Sequence, residues 1–270
     1  MPRADHRTGR RPATTKAWQF VDHFREAAVL GEGWTTLPQL FLEAGYTTVG
    51  TGKVFHPNLP PNWDLDKSWD PRMRAGGDWE DWMYPSEPRC PNGTAWCADA
   101  DDAIYDDSQI AASAVRLLRN ASSLLDAGGA PFFLAVGFRK PHLQWRFPKR
   151  VLQHYPIELA EVPLPAHPHF PEGAPLVGFH QPVGDFLLAF SDTRACGGEN
   201  ISPTVAFANE CQQAWRRAYW AAVSYLDEQI GVLLDELKAV GRAGDTMVVL
   251  FGDHGWQRAR RLVKRRTCAI

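Results

Sequence analysis

Apolar residues recur at helical spacing in three places along the chain, and each time a run that reads as a strand follows. In the first, Thr35 or Thr36 stands where a helix cap is needed and Pro38 falls in the first turn, where proline is tolerated. Leu37, Leu40, Phe41 and Ala44 continue at helical spacing, Gly45 ends the helix, and residues 46–50 read as a strand. The second helix starts near Asp107 with Ile110, Ala111, Ala114, Val115 and Leu118 as its stripe. It breaks at Gly128-Gly129 before 131–138, an unbroken apolar run of the kind found in a central parallel strand covered on both faces. The third helix is the longest, over 212–240, with Trp215, Tyr219, Ala222, Leu226, Ile230, Leu233, Leu234 and Leu237 on its core face. Gly241 closes it, and 246–251 reads as another buried strand. Helices alternating with apolar strands predict an α/β fold, a largely parallel sheet with helices on both faces.

Two segments break that rhythm. Residues 56–104 hold five tryptophans among aspartates, glycines and prolines, and read as a long ordered excursion that packs back on the domain. Residues 156–204 are rich in Pro, Gly and His and read as loop. The chain closes on Arg258, Arg260, Arg261, Lys264, Arg265 and Arg266, directly after a predicted strand whose covering helix should come next. A solvated basic tail and a spliced or frame-shifted end both fit. A nucleic-acid site fits poorly, because nothing aromatic or glycine-rich accompanies the charges.

Composition narrows the classes further. With 270 residues, 44% hydrophobic and 22% charged, the chain has the makeup of one large or two small globular domains. A formal net charge of -2 gives no reason to expect nucleic acid or an anionic membrane as partner. No apolar run approaches the roughly 18 residues that span a bilayer. The start, Met1-Pro2-Arg3-Ala4-Asp5-His6-Arg7, lacks the apolar core of a signal peptide. Cys90 and Cys97 flank the turn Pro91-Asn92-Gly93, which suits a small loop-closing disulfide. Sequons at Asn92, Asn120 and Asn200 decide little alone, but with the cysteine pair they lean toward a secretory protein.

In open α/β sheets ligands bind outside the carboxyl ends of the strands. The three predicted strand ends carry Thr51-Gly52-Lys53-Val54-Phe55-His56, Arg139-Lys140-Pro141-His142 and Gly252-Asp253-His254-Gly255-Trp256. Lysines and histidines at such ends suit a dianionic ester. They donate to non-bridging oxygens, one histidine can protonate a leaving oxygen, and Asp253 can hold a hard cation. Each also has a plainer reading: a surface lysine for Lys53, a loop histidine for His56, a core histidine for His142, and a tight turn for Asp253-His254.

At this point the residues carry a recognisable pattern. Gly45-Tyr46-Thr47-Thr48-Val49-Gly50-Thr51-Gly52-Lys53-Val54-Phe55-His56 resembles the second sulfatase signature, departing mildly at Thr51. The run from Pro131 into Lys140-Pro141-His142, the stretch Tyr219-Trp220-Ala221-Ala222-Val223-Ser224-Tyr225-Leu226-Asp227, and Asp253-His254-Gly255-Trp256 are similar to sulfatases of the iduronate-2-sulfatase type. Thr8-Gly9-Arg10-Arg11-Pro12 resembles the close of the first signature. The resemblance implies an alkaline-phosphatase-like sulfatase fold, here incomplete. It would comprise a divergent segment 1–7, a partial catalytic domain over 8–257, and a divergent basic tail over 258–270.

The same resemblance implies roles. Lys53 binds the sulfate group, His56 contacts the hydrated formylglycine nucleophile, and His142 binds sulfate and protonates the departing sugar oxygen. Asp253 and His254 belong to a Ca2+ site, and Trp256 lines the sugar pocket. A formylglycine-generating enzyme is the implied partner, and the implied location is lysosomal or secreted. The departures are equally specific. Pro2-Arg3-Ala4-Asp5-His6-Arg7 stands where the family has Cys-x-Pro-Ser-Arg, so the nucleophile and its arginine are missing. The first-strand aspartate pair and the Gly-Glu-His-Gly stretch are missing as well. The leading reading is therefore a sulfuric ester hydrolase of sulfated uronates, clipped at both ends and inactive as written. A non-catalytic anion- or sugar-binding protein and a related metal-dependent phosphoesterase are the alternatives. The Gly-Lys-x-Phe-His spacing argues against the last.

Overall fold

The computed structural model describes residues 8–16, 23–25, 33–55, 59–74, 88–165, 173, 175, 186–200, 202, 204–253, 256–257 and 263–264. They fall into two compact units. One is built within Met1–Ser86, Asp106–Arg139 and Glu228–Asp253, the other within Glu87–Tyr105, Lys140–Asp227 and His254–Ile270.

In the first unit, helix α1 (Leu37–Glu43) starts where Thr36 accepts the Gln39 N–H (3.1 Å), with Pro38 in the first turn. It ends at Gly45, whose φ of 88° only glycine adopts cheaply, with the Tyr46 N–H donating back to the Phe41 carbonyl (2.9 Å). The face predicted for burial is only partly covered. Phe41 stacks on Phe133 with centroids 4.6 Å apart, whereas Leu37 and Leu40 remain exposed.

Strand β1 (Thr47–Gly52) is rich in β-branched residues and buried along its whole length. Thr48 stays satisfied inside the core by donating to the Ser68 carbonyl (3.0 Å). Gly50 is set by packing: a Cβ there would lie 2.5 Å from the indole of Trp69, which is itself fully buried. Trp69 belongs to the tryptophan-rich excursion and folds back on the core as expected.

Helix α2 (Asp106–Asp126) buries Ile110, Ala111, Ala114, Leu117, Leu118 and Ala121. Gly128 and Gly129 close it, their N–H groups returning to Leu125 and Leu124. Strand β3 (Phe132–Gly137) then lies parallel to β1, in register from Thr47↔Phe132 to Gly52↔Gly137. It is half-buried throughout, not covered on both faces. A larger departure concerns residues 246–251. They form no strand, and Met247, Val248, Val249, Leu250 and Phe251 are all exposed. Their composition suits a buried strand, but among the described residues β3 pairs only with β1, so no ladder takes them in.

The first unit also holds a buried polar network. Arg25 donates from Nε and Nη2 to both oxygens of Asp64 (2.8 and 2.7 Å) and from Nη2 to Gln39 (2.7 Å). Ser68 joins Asp64 on one side and Thr36 (2.6 Å) on the other. The network therefore ties the start of α1 to the segment that covers β1.

In the second unit, β2 (Trp96–Asp99) pairs in parallel with β4 (Trp145–Pro148), two short strands that the sequence pattern does not announce. Residues 186–200, read as loop, include helix α3 (Ser191–Ala195). The long helix α4 (Asn209–Ala239) contributes residues 209–227 to this unit and 228–239 to the first. Its Trp215, Ala218, Ala221, Ala222 and Tyr225 join Tyr105, Trp145, Phe147 and Val151 in one aromatic core. After α4, Gly241 adopts φ 74° and the Arg242 N–H returns to the Leu237 carbonyl (3.0 Å). The terminal pieces β5 (Trp256–Gln257) and β6 (Val263–Lys264) pair antiparallel.

Candidate active site

The exits of β1 and β3 lie side by side because two glycines permit it. Gly52 has φ 71°, and a Cβ on it would come within 2.3 Å of the Gly137 carbonyl oxygen. A Cβ on Gly137 would lie 2.3 Å from the Lys53 carbonyl carbon and 2.4 Å from the Val54 nitrogen. With neither Cβ present, the Lys53 N–H donates to Gly137 (2.5 Å) and the Val54 N–H to Gly52 (2.8 Å). Two residues on, Phe55 is fully buried and meets Trp69 edge to face at 5.9 Å. Lys53 is thus held between two fixed points at the carboxyl end of β1, half-buried. His56 lies outside the described residues.

The chain leaving β3 is fixed by acids. The Arg139 N–H donates to Asp107 (2.6 Å), and its guanidinium pairs with Asp106. Both carboxylates are fully buried in the first turn of α2, where the helix dipole favours negative charge. Two carboxylates withdrawn from water need such partners, so Arg139 and the helix start stabilise each other. Nothing in the sequence marks these aspartates, because an Asp-Asp pair opening a helix has the pattern of ordinary capping.

In the second unit, Lys140 is buried and His142 half-buried. The Trp145 indole N–H donates to the Pro141 carbonyl (2.8 Å), which fixes the chain just before the histidine. His142 Nδ1 lies 2.5 Å from the Leu143 carbonyl oxygen, so it carries a proton there.

Asp253, half-buried, ends the 246–253 segment of the first unit. His254 lies outside the described residues, and of Trp256 only the backbone, in β5, is described. A hard dication takes roughly six to eight oxygen ligands. Among the described residues no group of three His, Cys, Asp or Glu side chains converges to hold a metal. The described residues therefore do not by themselves make the expected Ca2+ site. Lys53 and Asp253 belong to one unit and His142 to the other.

Cys90 and Cys97 are joined by a disulfide, as are Cys196 and Cys211, the second without any local sequence signal. Among the described residues no helix is long and apolar enough to cross a membrane.

Comparison with known proteins agrees with this architecture. The sulfatase family model matches residues 3–263. The chain is 34% identical over 262 residues to iduronate 2-sulfatase of Mus musculus, an alignment covering 92% of this chain and 44% of that protein. It thus spans less than half the length of this curated relative. In structure it matches a phosphonate monoester hydrolase from Silicibacter pomeroyi at TM-score 0.58 and 19% identity, over 99% of this chain and 55% of that one. It also matches a 2-O GAG sulfatase at TM-score 0.53 and 18% identity, over 99% and 50%. The fold is thus the alkaline-phosphatase-like α/β fold, with an incomplete sheet among the described residues. By its match to the family model along almost its whole length, the chain belongs to the sulfatase family.

Proposed function

We propose that the chain is part of a sulfuric ester hydrolase of the iduronate-2-sulfatase type, acting on sulfated uronates of glycosaminoglycan-like chains. The observation that carries this reading is the paired exit of β1 and β3. There the Gly52–Gly137 contact presents Lys53, the lysine of the Gly-Lys-x-Phe-His motif, at the carboxyl end of the sheet.

In this reading Lys53 donates to non-bridging sulfate oxygens, where negative charge accumulates as the ester breaks. His56 contacts the hydrated formylglycine. His142 binds sulfate and, from Nε2, protonates the sugar oxygen as it leaves. Trp256 lines the sugar pocket. Asp253 and His254 contribute to Ca2+ binding together with ligands from elsewhere in the protein. Residues 8–257 form the catalytic-domain portion, with 1–7 and 258–270 divergent. The formylglycine itself comes from a cysteine oxidised by a formylglycine-generating enzyme. None of the five cysteines here has the required Cys-x-Pro-Ser-Arg surroundings, and four of them are already in disulfides. The 270 residues alone therefore turn over no sulfate ester. Two disulfides suit an oxidising compartment and support a secreted or lysosomal glycoprotein.

The test is to sequence the transcript across both ends of this reading frame, express its longest product, and assay release of sulfate from an iduronate 2-sulfate glycoside. Hydrolysis by a product carrying Cys-x-Pro-Ser-Arg, lost in Lys53→Ala, is the expected result. Turnover by the 270-residue chain would overturn the nucleophile argument. A product that cleaves phosphate monoesters but no sulfate ester would favour the phosphoesterase. One that binds the sulfated sugar without cleaving it would favour a binding protein.

A further inference from the structure

The loop closed by Cys90 and Cys97 carries a feature that sulfate chemistry does not use. Its tip is the 3₁₀ turn Pro91–Gly93, with Asn92 at φ 56° and ψ 14° and exposed. Asn92-Gly93-Thr94 is a sequon with threonine, not serine, in the third position and no proline in the second. The Asn92 backbone is anchored, its carbonyl accepting from Ser191 Oγ (2.8 Å), while its side-chain amide makes no hydrogen bond among the described residues. The neighbouring Ala95 N–H donates to Asp192 (2.8 Å), so both contacts fasten the loop to α3 with its tip outward. The disulfide closing the loop and the second one at Cys196–Cys211 both suit the oxidising compartment in which such sequons are glycosylated.

We infer that Asn92 is an N-glycosylation site. In the transfer, Asn92 Nδ2 bonds to C1 of the first sugar of a polyisoprenyl-pyrophosphate oligosaccharide. The sugar–phosphate bond breaks, the lipid pyrophosphate leaves, and Nδ2 gives up a proton. The folded loop can then carry the glycan without rearrangement, because Asn92 is exposed and its amide makes no hydrogen bond among the described residues. The other sequons offer less. Asn120 lies within α2, where the Ser122 hydroxyl is buried and accepts from Arg242 Nε (3.3 Å). The sequon at Asn200 includes Ile201, outside the described residues.

The inference rests on the secretory part of the proposed function and is independent of sulfatase activity. The test is to express the full chain behind a secretory leader in animal cells, recover it from the secretory pathway, and map its glycopeptides before and after amidase treatment. The peptide holding Asn92 should carry a glycan, which the amidase removes while converting Asn92 to aspartate. Asn92→Gln and Thr94→Ala should each lose one glycan's worth of mass, and Thr94→Ser should keep it. Because transfer is read on the peptide, the result does not depend on whether a variant folds. Recovery of Asn92 unmodified, or Thr94→Ala indistinguishable from the parent, would overturn the assignment. Localisation of the native protein then tests the secretory reading separately.

Discussion

Gly137→Ala should be the most damaging single-methyl change in the first unit. The added Cβ meets three backbone atoms, the Lys53 carbonyl carbon at 2.3 Å, the Val54 nitrogen at 2.4 Å and the Lys53 oxygen at 2.6 Å. Ordinary carbon contacts lie at about 3.5–4.0 Å, so the strand ends must part by about an ångström. No flexible side chain can absorb that movement. Separation breaks the Lys53 N–H to Gly137 hydrogen bond, worth about 1 kcal/mol, and overpacking adds about 1–3 kcal/mol. A loss of about 2–4 kcal/mol is expected, a large part of the roughly 5–15 kcal/mol that holds a domain folded. Urea denaturation followed by tryptophan fluorescence reads it, since Trp69 packs beside β1. With a slope of about 1–3 kcal/mol/M, the midpoint should fall by roughly 1 M or more. Gly231→Ala is the control. It lies in α4 with nothing within 4 Å of its Cβ, so alanine should stabilise by about 0.5–1 kcal/mol. If Gly137→Ala unfolds at the parental midpoint, the strand exits are not in contact, and the placement of Lys53 falls with them.

Other perturbations follow from the same structure. Asp64→Ala strands the Arg25 guanidinium in the core and should cost about 3–5 kcal/mol by urea denaturation, with Arg25→Leu/Asp64→Leu recovering part of it. Opening the Cys196–Cys211 bridge with paired serines should cost about 3 kcal/mol, and opening Cys90–Cys97 about 2.4 kcal/mol, as the longer loop confines the unfolded chain more. A hydrogen bond from Arg119 holds the Glu236 carboxyl below its ordinary value. Its contribution is present above the unfolded-state value and fades as pH falls through the folded one. Glu236→Gln should therefore flatten the acid limb of the stability profile slightly and change nothing on the alkaline side. Residues 247–251 expose five apolar side chains in a row, so the isolated chain should self-associate in sedimentation experiments, and Val249→Lys should reduce it.

The legible parts of the fold are those written in local signals. Thr36 and Gly45 bound α1, Gly128-Gly129 end α2, and threonines and valine mark β1, because caps and strand preference act within a few residues. What escaped is non-local. Arg25 and Asp64 stand 39 positions apart, and nothing in either's neighbourhood announces the other. The Cys196–Cys211 bridge spans 15 positions with no turn to predict it. β2 and β4 are four residues each, too short for a period to declare itself, and pair across nearly fifty positions.

Residues 246–251 make the same point from the other side. Thr-Met-Val-Val-Leu-Phe has the composition of a covered strand, yet composition records what a strand is suited to bury and says nothing about which neighbour covers it. β1, less apolar in composition, is nonetheless buried because β3 pairs with it and α2 and Trp69 pack on it; 246–251 has no ladder partner among the described residues, and its side chains from Met247 to Phe251 lie exposed. The candidate site inherits this asymmetry. Lys53 sits at the end of a strand fixed on both sides, by the Gly52–Gly137 contact and by Phe55 in the core, whereas Asp253 ends a segment that pairs with no strand among the described residues. Precise charge placement needs a rigid support behind it. In the proposed function, any metal role for Asp253 therefore depends on pairing the 246–251 segment, and pairing it should raise cation affinity, read by calorimetry, while leaving the anion binding proposed for Lys53 unchanged.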